Sequence, residues 1–266
     1  MSRPSRTVRR EKGKSDLIDA EVAARSVLAG TDLGAPKDTT AITESLRVLR
    51  ATRRSAVKAR TQTANLLYAL LLTAPAELRN RLDQGSVRAR AERCARLRPA
   101  KPLESAGHPL TATRIALRST AQRWLQLTNE IRALETLIDQ LTRTAAPRLR
   151  AQFGVGGDVA ATLMIAAGGN PDRLVSEASF AALCGVSPIP ASSGKTNRYR
   201  LNRGGDRQAN AALHAVCLIR MQRDPATRAY VVRRTAEGLS KKDIMRCLKR
   251  YIARDLYRAL TMITPG

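Results

Sequence analysis

The chain has 266 residues, with 47 Lys and Arg against 22 Asp and Glu, a formal charge of +25 at pH 7. At 43 % hydrophobic it can bury a core, which excludes a disordered basic tail. At 3 % aromatic it is poor in the residues of β-sandwiches and of sheets that stack RNA bases, while Leu, Ala and Arg point to a mainly α-helical fold.

Such a charge excess repels itself unless an anion neutralises it. Nucleic acid fits best, because its phosphates are dense and arginine pairs with them in bidentate fashion. No apolar run reaches membrane-spanning length, and the start lacks the apolar core of a signal peptide, so no membrane partner is expected. Cys94, Cys184, Cys217 and Cys247 stand singly, and His108 and His214 lie far from them at ligand spacing. Zinc and disulfide frameworks are therefore not expected, and the compartment reads as a reducing cytoplasm.

Along the chain, the first fourteen residues are basic and hold nothing to bury. A helix is expected from about Asp16 to Leu28, with Ser15 as cap and Gly30 as stop. Gly34 and Pro36 mark a linker. A long helix is expected over Ala41–Leu72, then a weaker helical stretch over Ala76–Arg98, then a loop at Pro99 to Pro109. In Thr111–Thr144, Leu117, Trp124, Ile131 and Ile138 recur every seven residues, with Leu127, Leu134 and Leu141 three residues after members of that series. These are heptad a and d positions, suited to a helical hairpin with Ala41–Leu72 or to a dimer seam. Beyond Ala146-Pro147 the texture shifts to short helices and turns, ending in a basic amphipathic helix after Ser240. Ile244, Leu248, Ile252 and Leu256 form its core stripe, with Lys249 and Arg250 beside them as phosphate ligands.

Three places carry possible chemistry. Asp16 and Asp19 share one helical face and could hold Mg²⁺; Asp in a first helical turn also serves capping and the helix dipole. The turn Gly154-Val155-Gly156 opens an apolar helix whose free N–H groups suit phosphate oxygens, as in a helix-hairpin-helix element; a plain tight turn has the same pattern. Third, Pro188 to Gly205 contains Ser192-Ser193-Gly194 followed by Lys195, Arg198, Arg200 and Arg203. A serine among cations could attack a phosphodiester while the cations stabilise the developing charge, although a Ser-Ser-Gly loop is ordinarily a turn.

Gly13-Lys14-Ser15-Asp16-Leu17-Ile18-Asp19-Ala20, Gly154-Val155-Gly156 and the Pro188–Gly205 stretch together resemble insertion-sequence transposase family one hundred ten, the DEDD transposases, relatives of the Piv-type DNA invertases. The resemblance spans nearly the whole chain in order. It implies a RuvC-like, RNase H-like α/β domain holding Mg²⁺ on four acidic residues, a coiled coil, and a C-terminal domain with a nucleophilic serine. The family's K-[ST]-D-x-x-D-A pattern falls on Asp16 and Asp19, and its serine on Ser193, or on Ser192 if the register slips by one. The first two acidic residues find no match before Lys14, so an N-terminally truncated relative is expected. Phe153 stands where members often have Pro.

The expected organisation is a RuvC-like remnant at 1–36, a helical hairpin or coiled coil at 37–146 and a serine transposase domain at 147–266. The expected function is strand cleavage and transfer in DNA transposition or site-specific recombination. Ser193, Asp16 and Asp19 would be catalytic, and Lys195, Arg198, Arg200, Arg203, Gly154, Gly156, Lys249 and Arg250 would contact nucleic acid. The alternative is a catalytically dead nucleic-acid binder. DNA, a guide RNA from the element and a second copy of the chain are the partners implied, in a bacterial, nucleoid-associated setting.

Overall fold

The computed structural model describes residues 36–39, 41–98, 108–190, 199–200, 202 and 204–261, with part of 20–29. Two units are distinguished, 1–38 and 39–266. In the first, Ala20–Glu21, Ala24–Arg25 and Val27–Leu28 are helical, with a Glu21–Arg25 ion pair at 2.7 Å one turn apart. The expected RNase H-like remnant falls mostly outside the described residues.

The described residues of the second unit are almost wholly helical. Helix α1 is Ala41–Thr73, α2 Ala76–Leu82, α3 Val87–Ala95 and α4 Pro109–Ala145. Then come α5 Pro147–Arg150, α6 Gly157–Ala167, a 3₁₀ turn Pro171–Arg173 and α7 Glu177–Leu183. A two-residue ribbon pairs β1 Ile189–Pro190 with β2 Tyr199–Arg200, and α8 Arg207–Arg223, α9 Pro225–Ala236 and α10 Lys241–Thr261 complete the unit. The mainly α expectation holds. The stretch expected as one weak helix over Ala76–Arg98 is two helices, because Ser86 accepts a hydrogen bond from the Ala89 N–H at 3.3 Å and so starts a new helix.

Helices α1 and α4 pack along one another as an intramolecular hairpin. All four residues of the first heptad series, Leu117, Trp124, Ile131 and Ile138, are buried, whereas Leu127, Leu134 and Leu141 are only half-buried. Thr120, Ala121, Thr128 and Thr142 fill the seam in place of that second series. Small residues there let the helix axes approach, and the Thr128 and Thr142 hydroxyls donate to the Trp124 and Ile138 carbonyls one turn back, both at 2.8 Å.

Two cores follow. Leu67, Leu71, Leu78, Cys94, Leu117 and Trp124 close one end of the hairpin with α2 and α3. At the other end, Leu46 and Ile138 join Leu149, Leu163, Phe180, Leu213 and the stripe of α10. Ile244, Leu248, Ile252 and Leu256 are all buried, each contributing roughly 1.5–3 kcal/mol gross. Ser240 starts that helix: its hydroxyl donates to Asp243 at 2.6 Å and accepts from the Asp243 N–H at 3.3 Å. No helix among the described residues is long and apolar enough to cross a membrane.

Candidate strand-transfer loop and nucleic-acid interface

In sequence, Ser192 and Ser193 fall between α7 and α8, and the two ends of that connection are fastened to each other. Gly185 has φ +64°, and Gly205 lies so close that a Cβ on it would stand 2.2 Å from the Gly185 nitrogen. The Asp206 N–H donates to the Leu183 carbonyl at 2.7 Å, while the Asp206 carboxylate caps α8 by accepting from the Gln208 and Ala209 N–H groups at 2.7 and 3.0 Å. Outside this clamp the chain forms the ribbon, Ile189 opposite Arg200 and Pro190 opposite Tyr199.

Asn210, one turn into α8, holds the base. Its side-chain amide donates to the Cys184 and Gly185 carbonyls at 2.8 and 3.2 Å, and its Oδ1 accepts from Lys249 Nζ of α10 at 2.9 Å. Burial pushes the Lys249 ammonium below its usual range. Arg250 turns to Glu177 at 3.1 Å. Both cations expected at phosphates therefore make contacts inside the protein. The thiols nearby are poor nucleophiles, since burial pushes Cys184 up to about 12 and also raises Cys217.

Ser192, Ser193, Lys195, Arg198 and Arg203, together with Asp16 and Asp19, lie outside the described residues. Of Arg200 only the backbone pairing with Ile189 is described. Among the described residues no group of three or more His, Cys, Asp or Glu could hold a metal ion.

The glycine turn sits elsewhere. Gly156 is the exposed first cap of α6, with no side-chain hydrogen bond capping that helix start. Gly154, at φ +85°, packs against Val216 and Ile219 of α8. Arg150 fastens the turn to α4, donating to the Val155 carbonyl at 2.8 Å and pairing with Asp139. Arg50 of α1, almost fully buried, forks onto Asp158 at 3.0 and 3.3 Å and reaches Gln208 at 3.2 Å. A cleft of about 890 Å³ opens beside this junction, lined by Arg53, Arg132, Asp139, Arg143, Gly156 and Asp158 among others. Guanidinium groups already engage its carboxylates, and Arg143 with Arg150 holds Asp139 below the usual carboxylate range.

Sequence reasoning did not find Arg50, Asn210 or the Gly185–Gly205 contact as parts of the site. Gly204-Gly205 precedes α8 in the sequence, but no local signal links Asn210 to Cys184, 26 positions away.

A family model described as "Transposase IS116/IS110/IS902 family" matches residues 146–232, the region that carries the clamp, the ribbon and α8. A second, for DEDD transposases and described as "Transposase", matches residues 1–74. The chain belongs to the IS110 family of transposases. It is 32 % identical over 127 residues to the insertion element IS110 uncharacterized 43.6 kDa protein of Streptomyces coelicolor, covering 47 % of this chain and 31 % of that one. It is 27 % identical over 135 residues to the insertion element IS900 uncharacterized 42 kDa protein of Mycobacterium paratuberculosis, covering 50 % of this chain and 33 % of the relative. The matched region is thus about a third of the length of each of these relatives.

Proposed function

We propose that this IS110-family chain acts in DNA strand cleavage and transfer, with Ser193 as nucleophile. In the proposed step, Oγ forms an ester with the phosphodiester phosphorus as the P–O bond to one strand end breaks. The serine proton is lost and the departing oxygen gains one. The bond energy stays in the serine ester, ready for a second strand. Lys195, Arg198, Arg200 and Arg203 would stabilise charge on the phosphoryl oxygens, and the N–H groups at Gly156 would hold a neighbouring phosphate. Asp16 and Asp19, hard oxygen donors, would hold a Mg²⁺ ion, which would supply positive charge at the phosphoryl oxygens.

One observation carries the reading. In sequence, Ser193 falls between the two strands of a ribbon whose base is clamped by Gly185, Gly205 and Asn210, within the stretch matched by the transposase family. A fixed base suits a group that must meet a phosphorus in line. Ser193→Ala should abolish covalent protein–DNA linkage on denaturing gels while leaving DNA affinity within about twofold, because phosphate contacts carry affinity. An adduct that persists in Ser193→Ala and vanishes in Ser192→Ala moves the nucleophile by one residue. An adduct that survives loss of both serines refutes serine chemistry. DNA binding without any adduct in the unaltered chain favours the non-catalytic binder.

A further inference from the structure

We propose that α9 is a DNA-docking helix that enters the major groove of B-form duplex. The inference rests on the reading that DNA is the partner. It adds a surface outside the serine loop, the Gly156 turn and the Lys249–Arg250 pair.

Helix α9 has no buried residue. Its start is fixed by Asp224, which ends α8 and caps α9, accepting from the Thr227 N–H at 2.9 Å. Its inner face is only half-buried, through Thr227, Tyr230, Val231 and Arg234. Its outer face carries Ala226, Ala229, Val232, Thr235 and Ala236, all small, with Arg228 and Arg233 among them. Small side chains keep a helix slim. A helix about 10–12 Å across fits the B-DNA major groove, roughly 12 Å wide, but not the deep narrow groove of A-form RNA. Val232 is 71 % exposed, so its methyl groups are free to meet a thymine methyl.

The charge fits the same occupant. Residues 207–261 hold thirteen arginines and lysines against four carboxylates. Of those four, Asp224 is used in capping, Asp243 pairs with Arg246, Asp255 with Arg220, and Glu237 with Arg233 and Arg234. Arg223 and Arg228 make no ion pair with any described residue. Arg233 and Arg234 lie over the Tyr230 ring at 5.5 and 6.0 Å, and Tyr251 meets that ring edge-on at 5.9 Å. Stacking orients these guanidinium groups in advance, so less freedom is lost when they meet a phosphate.

The test is fluorescence anisotropy of the full chain on a labelled DNA duplex and an RNA duplex of the same sequence, through a salt titration. Arg228→Ala with Arg233→Ala should weaken DNA binding by about tenfold or more and flatten the salt slope by about 2, close to 0.9 for each phosphate no longer neutralised. RNA affinity should change much less. Val232→Glu should weaken DNA binding as well, with an unchanged melting temperature because the site is exposed. As a charge-matched control, Arg96→Ala with Arg98→Ala removes two exposed arginines at the end of α3. The inference is overturned by full DNA affinity in the α9 variants, by an equal loss in the control, or by equal losses on RNA. Those results leave the serine reading untouched, since the unaltered chain still binds DNA. A chain that binds no duplex at all refutes both.

Discussion

Gly205→Ala is the sharpest test of the clamp beneath the serine loop. A Cβ at 205 would stand 2.2 Å from the Gly185 nitrogen, 2.4 Å from its Cα and 2.8 Å from the Leu183 carbonyl oxygen. Comfortable contacts are about 3.5–4.0 Å, so the two backbones must part by roughly 1 Å or more. Neither is a flexible side-chain end that could swing away. The parting breaks the 2.7 Å hydrogen bond from Asp206 to Leu183 and loosens Asn210 from Gly185. Overpacking costs about 1–3 kcal/mol and the broken hydrogen bond about 1 kcal/mol more. For a unit of this size each kcal/mol lowers Tm by about 2–4 °C, so a drop of roughly 5–15 °C is expected by calorimetry. Gly204→Ala is the control, because its Cβ would meet only the end of the Asn202 side chain, at 3.3 Å. It should melt within about 2 °C of the unaltered protein. If Gly205→Ala also melts within that range, the backbones are not in contact and the clamp does not exist.

Arg50→Ala should cost about 2 kcal/mol by urea denaturation, since it removes charge-assisted hydrogen bonds joining α1 to α6 and α8; the half-exposed Asp158 keeps the figure from rising further. Lys249→Ala should reduce Ser193-dependent adduct far more than DNA affinity on filters, because its ammonium holds Asn210; equal losses would return Lys249 to direct phosphate contact. The hydroxyl and N–H of Thr227 hold the Asp224 carboxyl below its ordinary value of 3.8, so its contribution to stability is full above that pH and is lost as pH falls through the lowered value. Asp224→Asn should therefore show a shallower acid loss of stability in a pH series of thermal melts, and an unchanged acid limb would refute the assignment.

Local pattern determined much of this protein. The heptad series of α4 and the stripe Ile244, Leu248, Ile252 and Leu256 recur at the helical period, so their burial could be read before any fold was known. The collinear glycine, proline and serine signals likewise pointed to the family, because turn chemistry is written in neighbouring residues. Tertiary structure alone decided which contacts those elements make. Arg50 reads as one more cation on an arginine-rich face, yet it is buried, because α6 and α8 bring Asp158 and Gln208 to it across 108 and 158 positions. Lys249 and Arg250 sit on the basic side of an amphipathic helix, where sequence suggests phosphates. The packing of α7 and α8 against α10 brings Glu177 and Asn210 to them as well. In α9 the packing of α8 and α10 half-covers Tyr230 and Val231 and leaves Val232 exposed. The difference is physical: helical period is encoded over a few residues, whereas the partner of a side chain depends on where distant segments come to rest.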